Sequence, residues 1–71
     1  MNKKQQKFIA KLLKERVKQD RIPLRELAEP IGLTNPGLSA FLNGNKSIPW
    51  HKLIMLLREL RFNILDIDIP D

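Results

Sequence analysis

The residues whose spacing carries the clearest chemistry in this 71-residue chain are lysines. Lys3, Lys7, Lys11, Lys14 and Lys18 recur at steps of three and four, so on a helix they fall within about 80° of one another. A one-sided row of ammonium groups is either a solvated outer face or a seat for a polyanion, whether nucleic acid or an anionic membrane surface. A second group stands out by lacking charge. Asn35, Ser39, Ala40 and Asn43 share one face of a short segment whose other face, Leu38, Phe41 and Leu42, is apolar. A surface helix ordinarily carries Glu and Lys at such positions for solubility and propensity, so small neutral side chains suit insertion into something narrow. Asp66, Asp68 and Asp71 have the residue type of a metal cluster, but an extended tail offers no enclosed site, and no metal is expected.

The remaining chemistry is mostly excluded. The chain has no cysteine, which removes disulfides, thiolate zinc sites and thiol nucleophiles, and its single His51 cannot build a histidine cage alone. His51 is expected to face solvent. No nucleophile–base pairing, phosphate-binding glycine loop or paired buried carboxylates can be found, so an enzyme is not expected, nor any cofactor. No apolar run approaches the ~18–20 residues of a membrane span, and the start "MNKKQQKF" lacks a signal peptide's apolar block, so the chain reads as cytosolic.

Charge is unevenly distributed. Net charge is +5, and residues 1–21 hold eight Lys/Arg against Glu15 and Asp20, whereas residues 62–71 hold only Asp66, Asp68 and Asp71. The basic front suits a polyanion partner, and the acidic tail would be repelled by it and so points elsewhere. Hydrophobic residues reach 42%, ordinary for a folded globule. A single small domain with a modest core is expected.

Four helices are predicted to position these groups. The first spans residues 3–19, with Phe8, Ile9, Leu12, Leu13 and Val17 on its apolar arc. Arg16 lies inside that arc and must snorkel outward or pair with a carboxylate of another helix. Pro23 follows the first helix and opens a second over roughly 23–30, which Pro30 cuts off and Gly32 turns with a positive φ. Thr34 reads as the N-cap of a third helix of about nine residues, its hydroxyl placed for the amide of Gly37, and Asn43-Gly44 stops it. A fourth runs over 49–61, with Trp50, Leu53, Ile54, Leu57 and Leu60 as its core stripe. Trp50 is read as a core or hinge anchor and not as a platform for stacking bases. Beyond it, Leu65, Ile67 and Ile69 alternate with Asp66 and Asp68, a period-two pattern of a strand or extended segment, although Asn63 would equally cap a last helical turn.

The segment "LRELAEPIGLTNPGLSAFLNGNKSIPWHKLIMLLREL" resembles the helix-turn-helix core of the phage repressor and Cro family. The matching marks are Leu27-Ala28, Gly32 in the turn, Thr34 at the start of the next helix, Leu38, the Phe41-Leu42 pair and "NGNK" at 43–46. "NPGLSAFLNG" is similar to the lambda-repressor type of recognition helix. The resemblance spans about residues 8–65 and implies an all-α, lambda-repressor-like domain over 1–71, with its helix-turn-helix at about 23–43. It also implies that the third helix lies in the major groove with its first turn at base edges. Asn35 would then bond adenine, Gly37 allow close backbone approach and Ala40 meet a thymine methyl, with Pro36, Ser39 and Lys46 completing the base-contacting set. Lys3, Lys4, Lys7, Arg25, Thr34, Asn43 and Asn45 are the expected phosphate contacts. Two departures bear on specificity. Pro36 stands where many relatives have a second hydrogen-bonding residue, and Leu24 replaces a polar residue that braces the base-reading amide, so readout leans on DNA shape and Lys46.

The expected activity is that of a sequence-specific, double-stranded-DNA-binding transcriptional repressor in the prokaryotic cytoplasm or nucleoid, binding a palindromic operator as a homodimer and taking no small-molecule ligand. Dimer contact would come from apolar surface near the C-terminal end: Met55 and Phe62 on one stripe, then Ile64, Leu65, Ile67 and Ile69 in the tail 62–71, whose strand edge a second copy would pair. The competing arrangement has the tail covering Met55 and Phe62 within one monomer. Two other functional classes stand beside the repressor. An antitoxin of a toxin–antitoxin operon usually adds a toxin-gripping extension that this chain lacks. A basic membrane-surface protein would place an interfacial Trp in its lysine helix, and this helix has none.

Overall fold

A computed structural model describes residues 2–69; Met1, Pro70 and Asp71 lie outside the described residues, and with the last two the end of the expected dimerisation tail and of the acidic trio. Helix α1 (Lys3–Gln19) starts where Asn2 and Gln5 cap each other. The Asn2 side-chain oxygen accepts the Gln5 amide at 2.8 Å, and the Asn2 amide donates to the Gln5 side chain at 3.2 Å. This reciprocal box satisfies two of the otherwise orphan donors of a helix N-terminus. Helix α2 (Leu24–Ala28) is shorter than the 23–30 expected, because the chain tightens into a 3₁₀ turn, Glu29–Ile31, with Pro30 inside it. Pro30 has no N–H to continue the α-helical ladder, so the turn closes with shorter-range bonds. Gly32 follows at φ +73°. Helix α3 (Asn35–Leu42) begins as anticipated, with Thr34 Oγ1 accepting the Gly37 amide at 3.0 Å. Helix α4 (Trp50–Glu59) is preceded by Pro49.

One core joins all four helices. Ile9, Ala10, Leu13 and Val17 of α1 meet Leu27 and Ala28 of α2, Ile31, then Leu38, Phe41 and Leu42 of α3, and Leu53, Leu56, Leu57 and Leu60 at α4. Among the described residues there is no strand, and the fold is an all-helical compact globule. Its radius of gyration of 11.0 Å equals the roughly 11 Å expected of a compact chain of this length. No helix among the described residues is long and apolar enough to cross a membrane.

The structure corrects two expectations and decides a third that the sequence left open. The buried stripe of α4 is Leu53, Leu56, Leu57 and Leu60, rotated toward Leu56 relative to the expected stripe, which leaves Trp50 half exposed at 50%. Trp50 is therefore not a core anchor: it lies at the helix's first residue, one turn before the core-facing leucines begin. Of the two readings of the tail, a strand or a last helical turn capped by Asn63, the described residues show the second. Asn63 Oδ1 accepts the Leu65 amide at 3.0 Å and caps a 3₁₀ turn, Ile64–Asp66. The turn breaks the period of two: Ile64, Ile67 and Ile69 lie partly buried against the core, while Leu65 faces out with Asp66 and Asp68. The described residues thus offer no strand edge for a second copy to pair with. Finally, among the described residues Arg16 pairs with no carboxylate of another helix. Its guanidinium donates to the Leu60 carbonyl at the end of α4 at 3.1 Å and sits 4.5 Å from the Phe62 ring centroid. A cation at a helix C-terminus is favoured by the helix dipole, and stacking on Phe62 adds a cation–π contact.

A hydrogen-bonded clamp locks α1 to the segment before α4. Gln6 is buried, and its amide donates to the Ile48 carbonyl at 2.9 Å while accepting the Ile48 amide at 3.0 Å. One side chain thus satisfies both backbone groups of a buried loop residue, which would otherwise be costly to desolvate.

Candidate nucleic-acid interface

Helix α1 presents two different flanks to the rest of the molecule. Phe8, Leu12 and Arg16 face the C-terminal segment, where they line a concavity with Phe62 and Ile67. The lysine row lies on the other flank, beside the C-terminal end of α3 and the loop that follows. There two clefts adjoin. The first encloses about 430 Å³ and is lined by Lys3, Gln6, Lys7, Phe41, Gly44, Asn45, Lys46 and Ser47. The second, about 350 Å³, is lined by Lys7, Lys11, Lys14, Leu42, Asn43, Gly44 and Asn45. Neither lining includes an acidic residue. Lys3, Lys7 and Lys11 are exposed and Lys14 is half-buried, so the inner edge of the row borders a basic groove that is open to solvent.

Local geometry explains why the groove forms here. Gly44, at φ +79°, ends α3: its amide donates to the Phe41 carbonyl at 2.9 Å and that of Asn45 to the Ala40 carbonyl at 2.8 Å. These two bonds close a Schellman motif, and the left-handed residue between them favours glycine. An ideal Cβ at Gly44 would lie in ordinary van der Waals contact with the Lys7 stem, with Cγ at 3.5 Å. Lys7 is thereby laid across the end of α3 and shared by both clefts. Lys14 donates to Asn43 Oδ1, and the Asn43 amide nitrogen reaches Ser39 Oγ at 3.4 Å.

The outward face of α3 is more graded than its sequence suggests. Asn35, Pro36 and Asn43 are exposed, whereas Ser39, Ala40 and Gly37 are half-buried. Ser39 shares a concavity with Lys14, Val17, Lys18, Leu24, Leu42 and Asn43, and Leu24 packs partly against the core. Of the expected phosphate contacts, Lys3, Lys7, Asn43 and Asn45 are brought to one groove together with Lys46. Lys4, Arg25 and Thr34 are exposed but line neither cleft. Sequence reasoning missed Lys11, Lys14 and Gly44 as members of the groove. The signal available was the lysine row itself, but which neighbour it abuts is a tertiary fact. Gln6 was also missed, although a glutamine one turn before Ile9 and Ala10 and seven residues before Leu13 lies in the middle of the buried arc.

At the far end, the six expected dimer-forming residues separate. Met55 is 38% exposed and Leu65 87%, whereas Phe62, Ile64, Ile67 and Ile69 are partly buried against the core of their own chain. His51 is exposed. No group of three or more metal-ligating side chains among the described residues is arranged to hold an ion. No protein-family model, curated protein or solved structure matches the chain.

Proposed function

We propose that this chain is a sequence-specific double-stranded-DNA-binding transcriptional regulator of the phage repressor and Cro type, acting as a repressor on a palindromic operator. The observation that carries the reading is the placement of α3. Its outward residues, Asn35, Pro36, Ser39, Ala40 and Asn43, carry no charge, and at its C-terminal end it is flanked by a groove walled with lysines. A neutral, hydrogen-bonding helix face beside a cationic wall is the combination that reads base edges while neutralising adjacent phosphates. The arrangement of α2, a turn with left-handed Gly32, and α3 packed on α2 supports a helix-turn-helix in which α3 is the reading element. Asn35 is the base-reading amide at its first turn, and Lys46 reads a guanine or grips a phosphate from the loop.

Selecting bound duplexes from a random library tests this directly. A two-fold symmetric motif is expected. Asn35→Ala should weaken binding to that motif by about 1–3 kcal/mol and relax preference at one base pair. A library that yields no motif, or a variant with undiminished discrimination, overturns the assignment of α3.

A further inference from the structure

The cleft between the middle of α1 and the last turn of α3 has a composition that its structural surroundings leave uncompensated. Lys7, Lys11 and Lys14 converge there with Asn43, Gly44 and Asn45, and no acidic side chain is among its lining residues. Like charges at this helical spacing repel by a few tenths of a kcal/mol per pair. The C-terminus of α3 offers a partial charge of only about −0.5 in return, and its last carbonyls are already bonded by the Gly44 and Asn45 amides. Three ammonium groups against half a charge leave a site that an anion completes.

The hydrogen bonds inside the cleft point the same way. An ammonium can only donate, so Lys14 fixes the Asn43 carboxamide with its oxygen toward α1. That leaves the Asn43 amide nitrogen as the outward donor, held only by a long 3.4 Å approach to Ser39 Oγ that a stronger acceptor would displace. Along α1 the three lysines cover about 10 Å, a row long enough to meet more than one phosphate of a duplex backbone.

We propose that this cleft is a second backbone-phosphate seat, separate from the lysines at the start of α1, in which Lys11 and Lys14 grip duplex DNA phosphates and Lys14 also positions Asn43 to donate to one. The proposal rests on the DNA-binding reading only for the class of partner, since phosphate contact requires no sequence preference.

The test is the salt dependence of binding to a short duplex of arbitrary sequence, for wild type, Lys11→Gln, Lys11→Gln/Lys14→Gln and a charge-matched control, Arg58→Gln/Arg61→Gln, at the opposite end of the chain. With about 0.9 in logarithmic slope per phosphate, each lost contact should shrink the wild-type to variant affinity ratio about 3.5-fold between 50 and 200 mM salt. The double variant should lose one to two such contacts, the control much less. In addition, the Asn43 side-chain amide resonance should shift on duplex addition in wild type and not in the double variant. A slope unchanged from wild type, or equal to the control's, overturns the seat. So does a lowered Tm with an unchanged slope, which would assign the lysines to stabilising the end of α3. Binding to phosphatidylserine–phosphatidylcholine vesicles with none to duplex overturns it in favour of a membrane surface. A slope that falls as expected while the random library yields no motif leaves the seat standing and refutes the sequence-specific regulator instead.

Discussion

At the scale of single residues, Gln6 and Asn35 show how one amide side chain serves opposite ends. Gln6 is buried and saturated, donating to and accepting from the same backbone unit, Ile48, 42 positions away. Gln6→Ala would leave a buried N–H and C=O without partners and should destabilise the fold by about 1–3 kcal/mol, read as a lower denaturation midpoint. Gln6→Glu keeps the acceptor for the Ile48 amide but opposes a carboxylate to the Ile48 carbonyl. It should be destabilised most near neutral pH and recover as acid protonates the side chain; equal stability at both pH values would refute the clamp. Asn35, by contrast, is exposed at the first residue of α3, and its loss should leave the fold intact while weakening DNA binding.

Helix endings dominate the scale of elements. Among the described residues four segments end with a left-handed residue, at Arg21, Gly32, Gly44 and Arg61, and two of those are glycine. Arg21 at φ +52° closes α1, with its own amide on the Lys18 carbonyl at 3.2 Å and the Ile22 amide on the Val17 carbonyl at 3.1 Å. A non-glycine residue in this region costs about 1–2 kcal/mol, partly offset by the greater freedom that glycine has in the unfolded chain. Arg21→Gly should therefore raise stability by about 0.5–1 kcal/mol. Gly32→Ala should do the reverse, although open space surrounds its Cβ position apart from the Lys52 ammonium at 3.7 Å, because the strain there is one of backbone conformation. Thermal unfolding of the two variants checks both signs, and a stabilising Gly32→Ala would refute the argument.

For the whole molecule, the basic groove and the exposed apolar side chains of the expected dimer surface share no lining residue. The basic groove lies at the α1–α3 side, while Met55 and Leu65 remain the exposed apolar side chains of the expected dimer surface. One small domain engages about one half-site, so a palindromic operator implies two copies with half-sites about 34 Å apart. Since Phe62 lies under Arg16 and is partly buried, Phe62→Glu would damage the monomer, and Met55→Glu/Leu65→Glu is the cleaner probe of pairing. Sedimentation equilibrium should show wild-type self-association, strengthened by operator DNA, and a monomeric double variant that keeps the wild-type Tm. A wild type that stays monomeric even on an operator, or a double variant that still pairs, refutes this surface.

What the sequence by itself determined is what depends on local chemistry. The span of α1, the Thr34 cap, the left-handed glycines and the apolar ridge Leu38, Phe41 and Leu42 follow from periodicity and from side chains that bond within three or four residues. The uncharged face of α3 and the one-sided lysine row were equally legible, since each needs only a helix's angle per residue. Tertiary structure decided which way each helix turns about its axis and what it meets. Trp50 reads as a core or hinge anchor because it is apolar and in phase with Leu53 and Leu57, yet burial depends on where the neighbouring helices end, and Leu56 takes the core position. The tail shows the same limit: the alternation of Leu65, Ile67 and Ile69 with aspartates reads as one apolar face, yet the 3₁₀ turn exposes Leu65 and turns Ile64 inward instead. The groove is the strongest case, because Lys14 and Asn43 lie 29 positions apart and no local rule relates them. They meet because the leucines and isoleucines of the core pack α1 against α3, and only that packing turns a row of lysines into a wall with an opposite side.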